Sequence, residues 1–147
     1  MDTATIRAAI AARPDLQSLL SGPLPAQAIA DAMSVGRVRS RPLTVGSGTV
    51  LDTLGLEVGN AFLDSIAATP VYRHVDHLLK MAHLRLDSPL VIAGLQSLVG
   101  LQIAPGVTFT AAHAQALIAL AQEPDPVSEW DVRCAIYHAD GSLWSPT

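Results

Sequence analysis

Prolines and glycines divide this chain into short apolar segments. The 147 residues include 10 prolines and 10 glycines, spread along the chain rather than gathered in one run. The prolines that bear most directly on the helix predictions are Pro14, Pro25, Pro70 and Pro89. Proline is tolerated in the first turn of an α-helix but breaks the helix interior. The chain is therefore expected to form many short helices rather than a few long ones.

The composition predicts a helical core with few large side chains and a weakly charged surface. Half of the residues are hydrophobic but only 4% are aromatic, so alanine, leucine, valine and isoleucine supply the core. Charged residues make up 15% of the chain, against roughly 25% in a typical soluble domain. A chain of 147 residues is long enough to bury its own core and fits one domain. Such a surface suits a protein that contacts neighbouring proteins.

The hydrophobic periodicity predicts a mainly α fold: a single compact domain, residues 1–147, of short helices with one extended edge strand or arm near residues 37–45. We expect N-terminal helices over residues 2–33, the extended arm or edge strand over 37–48, a helical core over 49–138 and a C-terminal tail over 139–147.

Two segments of the expected core differ in character. Val71–Leu84 has the clearest amphipathic pattern, with Asp76 and Lys80 spaced for a favourable i,i+4 ion pair. The segment from Pro89 through Val99 is apolar on nearly every side, which predicts a central position or an interface. Its apolar run is shorter than the roughly 20 residues that cross a membrane. No membrane span is expected.

The extended segment is the one place where charge, backbone chemistry and periodicity change together. Arg37, Arg39 and Arg41 stand at alternate positions, and Pro42 follows them. Successive side chains of an extended chain point to opposite faces, so the three arginines are expected to form one cationic row. Pro42 has no backbone N–H and is confined to edge positions of a sheet. The segment is therefore predicted to be an edge strand or an ordered arm.

Two interpretations of the arginine row stay open. The row either contacts a partner, or it protects a strand edge or pairs internally with Asp31, Asp52 or Glu57. The formal net charge of −4 argues against nucleic acid as the partner, because nucleic-acid binding needs a positive field. No helix-turn-helix with base-reading residues is visible, and stacking aromatics are scarce. An acidic protein surface is the partner that the row would fit.

Catalytic and metal signatures are weak. His74 and His77 stand at i,i+3 rather than at the i,i+4 spacing of a zinc-protease helix, and no glutamate lies between them. Gly46–Thr49 enters a helix as an anion-binding loop would, without the lysine of a Walker motif or the pattern of a serine-hydrolase elbow. We predict no catalytic residue, no metal and no cofactor, and interpret these residues as solvated or packed histidines and a flexible turn that starts a helix.

The C-terminal region holds both tryptophans, one of the two tyrosines and the single cysteine. Trp130 and Tyr137 are expected in the core. Trp144 lies in a short tail that must either dock on its own domain or meet another chain, and we predict that it binds a partner, as aromatic anchors often do. Cys134 stands among apolar residues and is expected to be buried, which fits a reducing compartment. Residues 128–131 have the pattern of a capping box, with aspartate in its last position.

Several short motifs give the chain a resemblance to a group of known proteins. They are an Ile-Arg-Ala helix near the N-terminus, residues 28–33 running into Val35-Gly36-Arg37, the Gly-Thr-Val-Leu segment at 48–51, and the closing pairs at 127–128, 131–132 and 135–136. In this order the motifs resemble a group of small proteins encoded in the structural gene regions of tailed bacteriophages.

The resemblance implies a virion-associated or assembly role in the tail or capsid region. We expect a noncatalytic protein, present in the cytoplasm of the host bacterium during assembly and then in the virion. Its partners would be other virion subunits or further copies of itself, in a homo- or hetero-oligomeric assembly. The alternative hypothesis is a small enzyme or regulator with an anion or metal site near Gly46–Thr49 and His74/His77. A clustered acid, base or nucleophile set would favour that alternative, and none is visible in the sequence.

Overall fold

The computed structural model describes residues 1–146 and confirms a mainly α fold of short helices. The α-helices are α1 (Thr3–Ala12), α2 (Pro14–Leu19), α3 (Pro25–Ser34), α4 (Ser47–Leu54), α5 (Leu56–Ala68), α6 (Arg73–Lys80), α7 (Pro89–Ser97), α8 (Ala111–Leu120) and α9 (Glu129–Ile136). A 3₁₀ turn, Pro70–Tyr72, precedes α6. The strands are β1 (Val38–Ser40), β2 (Thr44–Val45), β3 (Leu84–Arg85), β4 (Gln102–Ala104), β5 (Val107–Thr108) and β6 (Gln122–Pro124).

The strands form three two-stranded sheets in the described chain: β1 with β6, β2 with β3, and β4 with β5. In the second sheet Thr44 lies opposite Arg85 and Val45 opposite Leu84, in antiparallel register. The predicted extended segment near residues 37–45 is confirmed, with Pro42 between its two strands. An interruption there is expected, because proline cannot donate a hydrogen bond to a sheet.

Helix starts follow the local chemistry of the sequence. Asp2 caps α1, since its Oδ1 accepts a hydrogen bond from the backbone N–H of Thr5 at 2.9 Å. Pro14, Pro25 and Pro89 each stand in the first turn of the helix that they open. These starts lie where the sequence predicts them.

One predicted helix is shorter than expected. The helix predicted over Val71–Leu84 begins as the 3₁₀ turn and ends, as α6, at Lys80. Ala82 then takes a left-handed conformation with φ of 57°, and the N–H of His83 donates to the carbonyl of Leu78 at 2.8 Å. This turn reverses the chain so that Leu84 enters β3. Neither glycine nor proline follows Lys80 directly, so apolar periodicity alone predicts a helix that continues beyond the observed end of α6.

The chain separates into two compact units, each with its own core. The first unit comprises Met1–Arg39 together with the chain from Pro124 onward. Its core is formed by apolar faces of α1, α2, α3 and α9, with Ile6, Ile10, Ile29 and Val132 fully buried. The predicted helical core over 49–138 is therefore divided, because α9 packs with the N-terminal helices. The prediction of one domain over residues 1–147 stays a prediction.

The second unit comprises Ser40–Glu123. Phe62 of α5 and Phe109 stack in its core with ring centroids 5.2 Å apart. Gly59 allows α5 to approach α4 closely, because a β-carbon there would lie 2.9 Å from a methyl group of Leu51. Close packing of α4, α5 and α8 leaves α7 at the edge of this core, with only Leu95 of that helix buried.

Candidate functional site

An apolar groove opens on the surface of the second unit. The 3₁₀ turn and α6 form one wall, α7 forms the other, and α5 contributes to the floor. The groove has a volume of about 380 Å³, toward the lower end of the roughly 300–1,000 Å³ of ligand pockets. Its lining is Phe62, Ile66, Val71, Tyr72, Val75, Leu84, Leu90, Val91, Ala93, Gly94, Leu95, Ser97 and Leu98.

Gly94 leaves the groove open along α7. It lies in the helix interior, where glycine costs about 0.5–1 kcal/mol relative to alanine. A β-carbon at Gly94 would meet no atom within 4 Å, so no neighbouring group requires a glycine there. Gly94 nevertheless lines the groove, between Ala93 and Leu95. A side chain at this position would project into the open space of the groove.

The rim of the groove carries two highly exposed apolar side chains. Val71 on the 3₁₀ turn and Leu90 at the start of α7 each have 82% of their surface accessible. A small molecule held in the groove would leave these outward side chains in water. A protein segment lying over the groove would cover them and remove their apolar surface from solvent. The rim therefore indicates an occupant larger than the cavity itself.

A polar depression continues the groove past a shared wall formed by Val75, Leu84, Leu90 and Val91. The polar side chains that it adds are His74, His83, Arg85, Asp87 and Ser88. The combined surface is thus apolar at one end and carries imidazole and guanidinium groups at the other.

Asp87 serves as a structural anchor in this depression. Its Oδ1 accepts hydrogen bonds from Arg85 Nε at 3.2 Å and from the backbone N–H of Leu43 at 3.4 Å. The Arg85 guanidinium, foremost, and the Leu43 N–H lower the pKa of Asp87 below its ordinary value. The carboxylate is therefore ionised and already engaged, rather than poised for proton transfer.

The exposed face of α6 adds a further cation beside the depression. Arg73 Nε lies 3.4 Å from His74 Nε2, and Arg73 has no carboxylate partner among residues 1–146. Lys80 pairs with Asp76 at 2.7 Å, which confirms the predicted i,i+4 ion pair. Arg73 thus has a charge free to meet an acidic group on another molecule.

The histidines proposed as alternative metal ligands are solvent-exposed. His74 and His77 lie on α6 with both side chains accessible, and His83 follows the helix in an equally exposed position. Within the described chain, no three histidine, cysteine, aspartate or glutamate side chains come together as a metal site would require.

The Gly46–Thr49 loop has a packing role. Gly46 is the N-cap of α4 and is buried against Ala82. Gly48 lies within the first turn of α4, where a β-carbon would meet nothing within 4 Å. The close packing of Gly46 against Ala82 explains why this position is a glycine, and no bound ligand is needed for that explanation.

Two arginines of the predicted row are held by their own unit. Arg37 Nη2 lies 2.5 Å from Asp125 Oδ2, and the backbone N–H of Asp125 donates to the carbonyl of Arg37. Arg41 donates from Nη2 and Nε to the carbonyl of Leu120 at 3.1 and 3.2 Å. Arg39 has an interaction of its own. Internal pairing is thus observed for Arg37 and Arg41.

The residues predicted as internal partners of the row are wrong for Arg37 and Arg41. Asp31 accepts a hydrogen bond from the Gln27 amide at 2.8 Å instead, one turn away on α3. The true partners lie near residues 120–125, about eighty positions along the chain, where local spacing gives no signal. Contact of Arg37, Arg39 or Arg41 with another chain stays a prediction.

Trp144 docks within the first unit. Its indole lies under the Arg7 guanidinium, 5.4 Å from the ring centroid, and its backbone N–H donates to the carbonyl of Ile136 at 2.7 Å. Arg7 also donates from Nε to the carbonyl of Ala135 at 2.7 Å. The tail is therefore fixed on α1 and α9. A role of Trp144 in binding a partner stays a prediction.

Trp130 is the large aromatic residue that the sequence placed wrongly. It stands in the first turn of α9 with 68% of its surface exposed, not in the core. Cys134 is also exposed rather than buried. The buried face of α9 is formed by Val132, Ala135 and Ile136, which turns residues 130 and 134 outward. The 3.6-residue period of the helix, with positions 132, 135 and 136 buried, places residues 130 and 134 on the exposed face and could have predicted their exposure.

The predicted capping box at residues 128–131 is also wrong. Ser128 Oγ accepts from the N–H of Trp130 at 3.2 Å. Asp131 binds the N-terminal ammonium group of Met1 at 2.9 Å instead of reaching back to the helix cap.

The chain matches no protein-family model, no curated protein and no solved structure. None of the helices in residues 1–146 is long and apolar enough to cross a membrane.

Proposed function

We propose that this chain is a noncatalytic structural or assembly protein that holds other protein subunits through the apolar groove of its second unit. The observation that carries the proposal is the exposed apolar rim of the groove, Val71 and Leu90, above a floor that the unit's own side chains leave unfilled. The setting, a component of a tailed bacteriophage particle, comes from the sequence resemblance. Assembly in the host cytoplasm and a final place in the virion follow from that setting.

The chemistry of the groove supports binding rather than catalysis. Its lining is apolar apart from Tyr72 and Ser97, so it favours apolar side chains of a partner. Asp87, the carboxylate that lines the adjoining depression, is held by Arg85 and Leu43. The alternative, a small enzyme or regulator using Gly46–Thr49 and His74/His77, has no comparable support, because Gly46 is used in packing and the two histidines face solvent.

Incorporation into purified particles tests this function. Particles should be purified from cells that express the wild-type chain or one variant, and the amount of the chain relative to other subunits measured by quantitative mass spectrometry. Leu90→Asp places a charge on the groove rim and is expected to reduce incorporation at least about 10-fold, because a buried unpaired charge weakens an interface strongly.

Leu56→Asp is the matched control. Leu56 belongs to the same unit and is 73% exposed, but it does not line the groove. This variant is expected to be incorporated like the wild type. Absence of the wild-type chain from the particles, or equal incorporation of both variants, would overturn the proposed function.

A further inference from the structure

Trp130 and the groove are complementary surfaces on the two units of the chain. Trp130 is the largest exposed apolar side chain in the described residues, and α9 fixes its backbone through the Ser128 cap. An aromatic side chain buries about 150–250 Å² when it enters an apolar site. The groove, of about 380 Å³, has room for one or a few side chains rather than a whole helix. The indole of Trp130, with side chains adjacent to it on α9, is of a size that this groove volume can hold.

The charges beside the two surfaces are opposite. Glu129 precedes Trp130, and its carboxylate is 46% exposed with only a long contact of 3.8 Å to Arg133. Asp131, on the other side of Trp130, is already paired with the N-terminal ammonium group of Met1. Beside the groove, Arg73 has no carboxylate partner in the described chain, and the depression adds His74 and His83. The Trp130 side chain with the Glu129 carboxylate beside it is therefore complementary to an apolar groove with the Arg73 guanidinium beside it. Such complementarity fixes the orientation of a complex and suppresses wrong partners.

We infer that the occupant of the groove is a second copy of this chain, with Trp130 of one copy inserted between α6 and α7 of the next. This inference rests on the proposed function and names its partner. The contact joins two different surfaces, so it is a head-to-tail contact, and each chain keeps one free Trp130 or one free groove after pairing. Head-to-tail contacts build rings or filaments, the symmetries that repeated subunits of an assembly use.

Sedimentation velocity of the full chain over a range of concentrations tests the inference. The wild type is expected to form dimers and longer assemblies as concentration rises. Trp130→Ala removes the indole, and Gly94→Leu puts a large side chain at a groove position where a β-carbon would meet no atom within 4 Å. Each variant is expected to weaken association at least about 30-fold, as loss of a buried aromatic anchor does. Leu24→Ala is the matched control, since Leu24 has the same exposure as Trp130.

An equimolar mixture of Trp130→Ala and Gly94→Leu decides the geometry. The first variant keeps its groove and the second keeps its indole, so the mixture is expected to form a two-chain complex and nothing longer. Circular dichroism and thermal unfolding establish that each variant is folded. A mixture that stays monomeric, or a wild type that stays monomeric at high concentration, would overturn the inference.

Particle incorporation separates this inference from the proposed function. If Gly94→Leu fails to enter particles whereas Trp130→Ala enters normally, the groove binds a different subunit; self-association through Trp130 is then wrong and the proposed function stands. If Leu90→Asp and Gly94→Leu both enter particles normally, the groove has no assembly role and both proposals fail.

Discussion

Gly46 lies so close to Ala82 that a β-carbon on the glycine would come within 2.9 Å of the alanine β-carbon. The same added atom would lie 3.2 Å from the carbonyl oxygen of Leu79, so both the start of α4 and the end of α6 would have to shift. We expect Gly46→Ala to lower the free energy of unfolding by about 1–3 kcal/mol, the usual cost of overpacking. Urea denaturation measures the change.

Gly48 is the control for this prediction, because a β-carbon there would meet nothing within 4 Å. It lies in α4, where alanine is favoured over glycine by about 0.5–1 kcal/mol. Gly48→Ala should therefore be neutral or stabilising. Equal losses of stability in the two variants would show that the close approach to Ala82 is not the cause.

Ala82 carries strain that a glycine would relieve. Its φ of 57° is left-handed, and it occupies the position after α6 where glycine usually ends a helix. The left-handed conformation costs a residue with a β-carbon about 1–2 kcal/mol. Ala82→Gly removes this cost, but glycine also gives the unfolded chain more conformational freedom, which offsets part of the stabilisation. We expect a net stabilisation of about 0.5–1 kcal/mol.

Thermal unfolding of Ala82→Gly and Met81→Gly checks the effect. Met81 is the adjacent residue but has right-handed helical angles, so glycine relieves no strain there and should destabilise the protein. A melting temperature that falls in both variants would contradict the prediction.

The pairing of Asp125 with Arg37 predicts sensitivity to acid. The Arg37 guanidinium, foremost, with a smaller contribution from the charge of Arg39, holds the pKa of Asp125 below its ordinary value. A carboxyl whose pKa is lower in the folded state stabilises the fold above its unfolded pKa of about 3.9 and loses that contribution as pH falls through the folded value. The contribution is therefore present at neutral pH and lost below about pH 4.

Asp125→Asn should remove this part of the pH dependence. Urea midpoints measured from pH 6 to pH 2 are expected to differ between the wild type and the variant above about pH 4 and to converge below it. Arg37→Gln, which removes the partner instead, should flatten the same window. A difference that stays constant down to pH 2 would show that the ion pair does not set the pKa of Asp125.

Local chemistry determines where most helices begin, and the sequence reveals it. Asp2, Pro14 and Pro89 mark helix starts through hydrogen bonding and fixed backbone angles that involve only nearby residues. The end of α6 was not predictable in this way, since Ala82 takes a conformation that its residue type disfavours. Ala82 lies against Gly46, which is distant in sequence, and no local pattern reveals that contact.

Long-range packing also explains why the sequence predicts the apolar character of α7 but not the groove that this helix lines. An interface role for α7 was one of the predicted outcomes, because the segment is apolar on nearly every side. The groove itself needs α5, α6 and α7 together, and no local pattern indicates that Phe62 and Gly94 line the same groove. The Arg37–Asp125 pair spans 88 positions, so residue spacing could not identify it.

The two tryptophans should report opposite environments in solution. Trp144 packs under Arg7 and is partly covered by the first unit, whereas Trp130 is exposed on α9. At a concentration where the chain is monomeric, Trp130→Phe leaves only Trp144, and we expect blue-shifted emission with weak quenching by acrylamide. Trp144→Phe leaves only Trp130, and its emission should be red-shifted and readily quenched.

Arg7→Lys keeps the charge but loses the Nε hydrogen bond to Ala135, so in the Trp130→Phe background it should increase quenching of Trp144. Strong quenching of Trp144 before that change would mean that the tail is free to meet another chain, as the sequence alone suggested.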